Sequence, residues 1–176
     1  MAIVETGMKI EKCEDPGAAQ MLSALAAVTF TESFGDMYQQ EDLDIFFRDK
    51  HSVEIYRRLL SDPAFGVWIT RDEGGEAVAY IVAGPCELPV PDRPENAGEI
   101  IRFYARKHCH GSGAGSRLLT AALKWLEAHH DDIFLSVYAE NYGAHRIYRR
   151  HGFEKIHEYF YKVGNQADPE FIFKRQ

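Results

Sequence analysis

Two stretches of the chain hold residue types whose spacing suits chemistry. The first is His110-Gly111-Ser112-Gly113-Ala114-Gly115-Ser116. Three glycines within five residues let the backbone approach a ligand closely, with its amide groups unpaired and convergent. The run EIIRFYA at 99–105 precedes this turn, and Leu118, Leu119, Ala122, Trp125 and Leu126 follow it at helical spacing. The order is therefore strand, turn, helix, and the helix N-terminus adds a favourable field for an anion. The turn reads as a cradle for a pyrophosphate, with Arg106, Lys107 and Arg117 alongside to neutralise charge. The alternative is a flexible connection closed by a glycine cap.

The second stretch is Asn141-x-x-Ala144-x-x-x-Tyr148-x-x-x-Gly152-Phe153, directly after LSVYAE. Asn141 is a helix-start residue, and a step of seven brings Tyr148 back to almost the same helix face. Ala144, one turn before it, keeps that face open, so the pattern builds a narrow slot ending in a phenol. Gly152 suits a left-handed helix end. Taken alone, Tyr148 is equally a packed aromatic on an amphipathic helix.

The elements that must position these residues are legible in outline. Residues 8–13 alternate as a short strand, and Asp15-Pro16 starts a helix whose buried stripe is Met21, Leu22, Leu25, Val28 and Thr29, ending near Gly35. A helical pair is expected over 42–60, broken near His51-Ser52. Runs 65–70 and 77–83, separated by Asp72-Glu73-Gly74-Gly75, form a hairpin. Four prolines make 84–98 an irregular loop placed at a site edge. Strands are expected at 99–105 and 133–138, a helix at 141–151, and a closing hairpin from 153–163 and 170–174. The alternation predicts one α/β domain over 1–176, with helices on both faces of a mixed, mostly antiparallel sheet of six to seven strands.

Composition narrows the function. The chain has 176 residues, a formal charge of -7 and a 45% hydrophobic fraction, with no apolar run long enough to cross a bilayer. An acidic chain without a Lys/Arg run is a poor partner for nucleic acid, and a cationic small molecule suits it better. The start MAIVETGMKIEKCEDP carries no secretory pattern, so the cytosol is the expected compartment. Cys13, Cys86 and Cys109 are widely spaced and read as free thiols. His108, His110 and the His129-His130 pair lack separated ligand pairs, and no metal is expected.

The glycine turn resembles the acetyl-CoA motif Arg/Gln-x-x-Gly-x-Gly/Ala of the GCN5-related N-acetyltransferases (GNAT), with Gly113 and Gly115 on the small-residue positions and His110 where the family prefers Arg or Gln. The Asn141 to Phe153 pattern is similar to the family's next motif, at the required spacing. The resemblance covers the chain from Glu99 onward, and the elements before it match the family's order. It implies a GNAT fold and acetyl-CoA as cosubstrate, held by 110–116, Asn141, Ala144 and Tyr148. It further implies that strand 101–105, with Phe103, Tyr104 and Ala105, pairs with the pantetheine arm and splays from strand 133–138 to open the acetyl slot. FTESFGDMY near residue 30 and the final HEYFYKVGNQADPEFIFKR look most like the bacterial spermidine/spermine N-acetyltransferase branch.

This likeness assigns roles. A primary amine is mostly ammonium at neutral pH and must lose a proton before attacking a thioester. Glu99 is the base that the resemblance implies, working through water; a solvated strand-end glutamate is the plain alternative. Tyr148 is the acid for the departing thiolate, and no covalent enzyme intermediate is needed. Glu32 and Asp36 lie in a segment with Glu41, Asp42 and Asp44 and no basic residue, on the side that shapes the acceptor site in this family. They are candidate contacts for a polyamine, or simply a solvated face. A protein or peptide amine, an amino acid or an aminoglycoside would use the same chemistry, and a CoA-binding sensor would use none. Retention of Asn141 and Tyr148 with the cradle argues against the sensor. Tyr159, Phe160 and Tyr161 on the last hairpin are a candidate homodimer edge.

Overall fold

The structure, a computed structural model, describes residues 7–176. Its strands are β1 (Lys9–Lys12), β2 (Gly66–Arg71), β3 (Ala77–Pro85), β4 (Ala97–Ala105), β5 (Asp132–Tyr138), β6 (Phe153–Val163) and β7 (Gln166–Arg175). The α-helices are α1 (Ala19–Phe34), α2 (Gln40–Lys50), α3 (Val53–Ser61), α4 (Ala114–His129) and α5 (Tyr142–Arg150). The seven strands form one sheet in the order β1-β2-β3-β4-β5-β7-β6. Every pairing is antiparallel except β4 with β5. This is the mixed, mostly antiparallel α/β sheet expected from the sequence.

The helices start where local chemistry starts them. Asp15 caps a short 3-10 turn by accepting from the Gly17 amide at 2.8 Å, and α1 follows directly. Ser52 caps α3 by accepting from the Ile55 amide, which fixes the expected break between the paired helices. Leu118, Leu119, Ala122 and Leu126 of α4 pack on Ile81, Ile100 and Leu135, covering one sheet face. Leu22 and Leu25 of α1 and Tyr56 of α3 cover Ile69, Tyr80 and Val82 on the other. Each such side chain contributes roughly 1.5–3 kcal/mol by leaving water, so both layers are needed to hold the central strands.

Two features of the sheet make a cleft. Pairing of β4 with β5 runs only from Ala97–Asp132 to Ile100–Leu135, and the strands separate beyond it. At the same level Val82 faces Arg102 while Ala83 faces Ile100, so Ile101 is an extra, unpaired residue on β4. Such a bulge bends its strand and redirects the side chains that follow. The second half of β4 is thereby free to leave β5.

The last hairpin closes over this opening. At its tip Gly164 has φ 60°, and an added Cβ would lie 2.4 Å from the Asp42 Cα, so close docking on α2 requires glycine. The Asn165 amide donates to Asp42 Oδ1 at 2.7 Å, and Tyr38 donates to Asp168 Oδ2 at 2.5 Å. β7 is longer than expected because it pairs on both sides; Pro169 lies just past β5, and its carbonyl accepts from the Ala139 amide. The loop after β3 is shorter than expected, since β3 and β4 each extend into it. It does not border the cleft: Cys86 and Leu88 are instead buried against Phe134 and Ile172. Among the described residues, no helix is long and apolar enough to cross a membrane.

Candidate active site

A cleft of about 870 Å³ occupies the space between the separated ends of β4 and β5. One end is formed by the glycine turn. Gly111 and Gly113 have φ of 80° and 83°, values an L side chain rarely adopts, and an added Cβ at either would meet nothing within 4 Å. The space beside them is open to a ligand. At Gly115 the need is different, because an added Cβ would press on the Phe103 ring at 3.3 Å, so glycine here lets α4 approach β4.

The amides divide into two sets. Those of His110, Ser112 and Ala114 are consumed inside the turn, by Lys107 O, Cys109 O and Ser112 Oγ. Those of Gly111, Gly113, Gly115 and Ser116 find no partner among the described residues, and these same four residues line the cleft. Four free amides thus lie together at the N-terminus of a sixteen-residue helix, which fits a phosphate group. The sequence expectation of a cradle over 110–116 is corrected in detail: Ser112 and Ala114 shape the turn from behind, and the His110 ring lies 3.2 Å from Ala105 O while the residue lines the cleft.

The cationic flank also differs from expectation. Arg106 is paired with Glu32 at 2.7 Å, and Arg117 donates to Met8 O at 3.0 Å, so neither lines the cleft. Lys107 does, together with Arg146 and Arg150 of α5. Sequence reading missed both α5 arginines. The signal was present, since Arg146 and Arg150 lie four apart, flanking Tyr148, on a helix already assigned to the site.

Phe103, Tyr104 and Ala105 of β4 line the cleft, as do Asn141, Ala144 and Tyr148. Asn141 caps α5 by accepting from the Ala144 amide at 3.2 Å. Tyr148 is 7% exposed, with its ring near Phe103 and Phe153. Among the described residues its hydroxyl has no hydrogen-bond partner, and its pKa is raised well above the ordinary value, by burial first and then by the charge of Glu170. A buried phenol that stays protonated has a proton to give to a group bound in the cleft.

Glu99 is no solvated strand end: it is 8% exposed and accepts from the Glu87 amide at 3.0 Å. Burial raises its pKa to about 7, against the lowering effect of that hydrogen bond. It does not itself line the cleft, but its charge reaches Tyr161, which does. A group in the cleft would reach it only through an intervening water or side chain.

Of the two acidic residues chosen from sequence, one reaches the cleft. Glu32 borders the cleft, but its oxygens are taken by Arg106 Nε and by the Lys107 amide at 2.8 Å, which lowers its pKa. Its work is to tie α1 to the end of β4. Asp36 is exposed and does not line the cleft. The cleft lining also holds an aromatic group, Phe30, Phe34, Tyr38, Tyr104, Tyr138 and Tyr161, and two other carboxylates, Asp168 and Glu170. These last two come from β7, where the sequence signalled only a strand.

Comparison with known proteins agrees with this geometry. A family model described as Acetyltransferase (GNAT) family matches residues 25–153. Among solved structures, PaiA N-acetyltransferase from Thermoplasma acidophilum, in complex with coenzyme A, superposes with a TM-score of 0.75 at 16% identity, covering 96% of this chain and 98% of its own. A GNAT-family acetyltransferase from Staphylococcus aureus Mu50 gives 0.71 at 14% identity, with the same coverage. Arabidopsis thaliana NAA60, in complex with a bisubstrate analogue, gives 0.69 at 14%, again over 96% and 98%. At such identities the structures testify to the fold, while the family match spans most of the chain, cradle and phenol included: this chain belongs to the GNAT family of acetyltransferases.

Proposed function

We propose that the protein transfers the acetyl group of acetyl-CoA to a positively charged primary amine of small size, with a polyamine as the best fit. The observation that carries this reading is the polarity of the cleft. Its lining carries both signs: Lys107, Arg146 and Arg150 line it together with the glycines whose amides are free, and Asp168 and Glu170 line it together with Tyr38, Tyr104, Tyr138 and Tyr161. Bound there, acetyl-CoA supplies an activated thioester. The amides of Gly111, Gly113, Gly115 and Ser116 would hold its pyrophosphate, and the second half of β4, which has no partner strand on its β5 side, offers backbone groups to its pantetheine arm. Glu99 takes the proton of the ammonium through water, and Tyr148 gives its own to the departing sulfur.

A small acceptor is favoured over a folded protein because Tyr38–Asp168 and Asp42–Asn165 strap the hairpin tip across the acceptor side. The exposed Phe160 on β6, at the free edge of the sheet, supports a homodimer. The test of the reading is thiol release from acetyl-CoA with spermidine, spermine, neutral-tailed amines and a peptide N-terminus. Polyamines should be preferred, with an acceptor KM that rises with ionic strength. Equal use of neutral-tailed amines without salt dependence would remove the polyamine reading. No thiol release with any amine, although CoA binds, would remove the transferase reading.

A further inference from the structure

Of the carboxylates near the cleft, three are already committed. Glu32 is paired with Arg106, Asp168 accepts from Tyr38 and from Gln166 Nε2 at 2.8 Å, and Glu99 stands behind the wall on the Glu87 amide. Glu170 is different. It lines the cleft, and no Lys or Arg among the described residues reaches it as an ion pair. Its hydrogen bonds all fall on Oε2: Ser136 donates to that oxygen, and Tyr159 approaches it at 3.5 Å. Since the single Ser136 proton goes to Glu170, the 2.9 Å contact of Ser136 with Tyr159 is donated by the tyrosine. The chain Tyr159 to Ser136 to Glu170 thus orients the carboxylate from one side, and Oε1 has no partner among the described residues.

The position of Glu170 follows from the register. Glu170 faces Tyr138 across β5 and Tyr159 across β6, so its side chain rises on the sheet face that also carries Ser136. Its charge acts on the hydroxyls of Tyr148 and Tyr104, both in the cleft wall. A single half-buried carboxylate therefore shares the cleft with Tyr148. Leaving an anion partly desolvated without a counter-charge is costly, and a cation is the group that would offset the cost.

Building on the acetyl-transfer reading, we infer that Glu170, oriented by Ser136 and Tyr159, is the residue that binds the ammonium group of the acceptor within the cleft. Asp168 then serves as part of the strap, and Glu99 as the more distant proton acceptor.

The experiment compares the full chain with Glu170→Gln, Glu170→Asp and Ser136→Ala. Spermidine binding to the CoA-loaded protein is measured by calorimetry, and acetylation kinetics are measured in parallel. Glu170→Gln keeps an oxygen for Ser136 but removes the charge, so spermidine affinity should fall roughly 10- to 100-fold, the weight of one charge-assisted hydrogen bond. CoA affinity and the KM for acetyl-CoA should be unchanged, Glu170→Asp should recover part of the loss, and Ser136→Ala should raise acceptor KM by less. A folded Glu170→Gln protein with wild-type spermidine affinity and acceptor KM overturns the inference while leaving acetyl transfer intact. So does a wild type that acetylates amines yet binds spermidine no better than a neutral-tailed amine. Failure of the wild type to bind CoA would instead refute the underlying functional reading.

Discussion

Replacing Glu99 by Gln should make the protein more stable and less active at the same time, and both effects should depend on pH in a defined way. The folded environment raises the carboxyl pKa from 4.5 to about 7, chiefly by burial. Folding therefore favours the protonated form: the favourable contribution is complete below pH 4.5 and is lost as pH rises through 7. A displacement of two and a half pKa units corresponds to about 3 kcal/mol. The glutamine has no charge to bury and can still accept from the Glu87 amide. Above pH 7.5 the variant should thus exceed the wild type by up to about 3 kcal/mol, or roughly 6–12 °C in Tm for a chain of this size, while near pH 4.5 the two should nearly coincide. Activity should move oppositely. Wild-type kcat/KM should show a limb near pH 7 beneath the titration of the amine itself, and the variant should lose that limb and fall roughly 100-fold or more. Thermal melts from pH 4.5 to 8.5 and steady-state kinetics over the same range provide the assay. A stability difference that does not grow with pH, or a wild-type profile without the limb, would refute the assignment of Glu99 as a buried, titrating base.

Tyr148→Phe removes only an unpartnered hydroxyl, so the fold and acetyl-CoA KM should be retained while the single-turnover rate drops at least about 100-fold; a wild-type rate would return Tyr148 to packing. His51, 4% exposed and 2.8 Å from the Tyr56 hydroxyl, has its pKa lowered to about 3 by burial and then by Arg102 and Lys50. The neutral ring is favoured in the fold, so stability should be full above pH 6.5 and decline toward pH 3, by up to about 5 kcal/mol. Urea midpoints between pH 4 and 8 should show this slope, and a His51→Gln variant that keeps all of it would disprove the origin.

What the sequence determined by itself was local. The glycines at 111 and 113 announce a backbone that only glycine enters readily, and Asn141, Ala144 and Tyr148 announce one helix face, because a cap and a helical repeat involve residues within a few positions of one another. The element order followed for the same reason. Tertiary structure decided everything that depends on which distant atoms meet. Arg106 stands beside the cradle in sequence but spends its charge on Glu32, 74 positions away, whereas Arg146 and Arg150 arrive from another helix. Glu32 and Asp36 belonged to the visible acidic run, yet Asp36 stays outside the cleft and Glu32 is spent on Arg106, while Asp168 and Glu170 are delivered to it by the pairing of β7 between β5 and β6. Strand register places alternate residues on one face or the other, and the sequence of β7 alone does not state which strands it will lie between. The opening itself has the same origin: β4 and β5 pair for four residues and then part at a bulge, a property of two strands and their neighbours that neither strand carries alone.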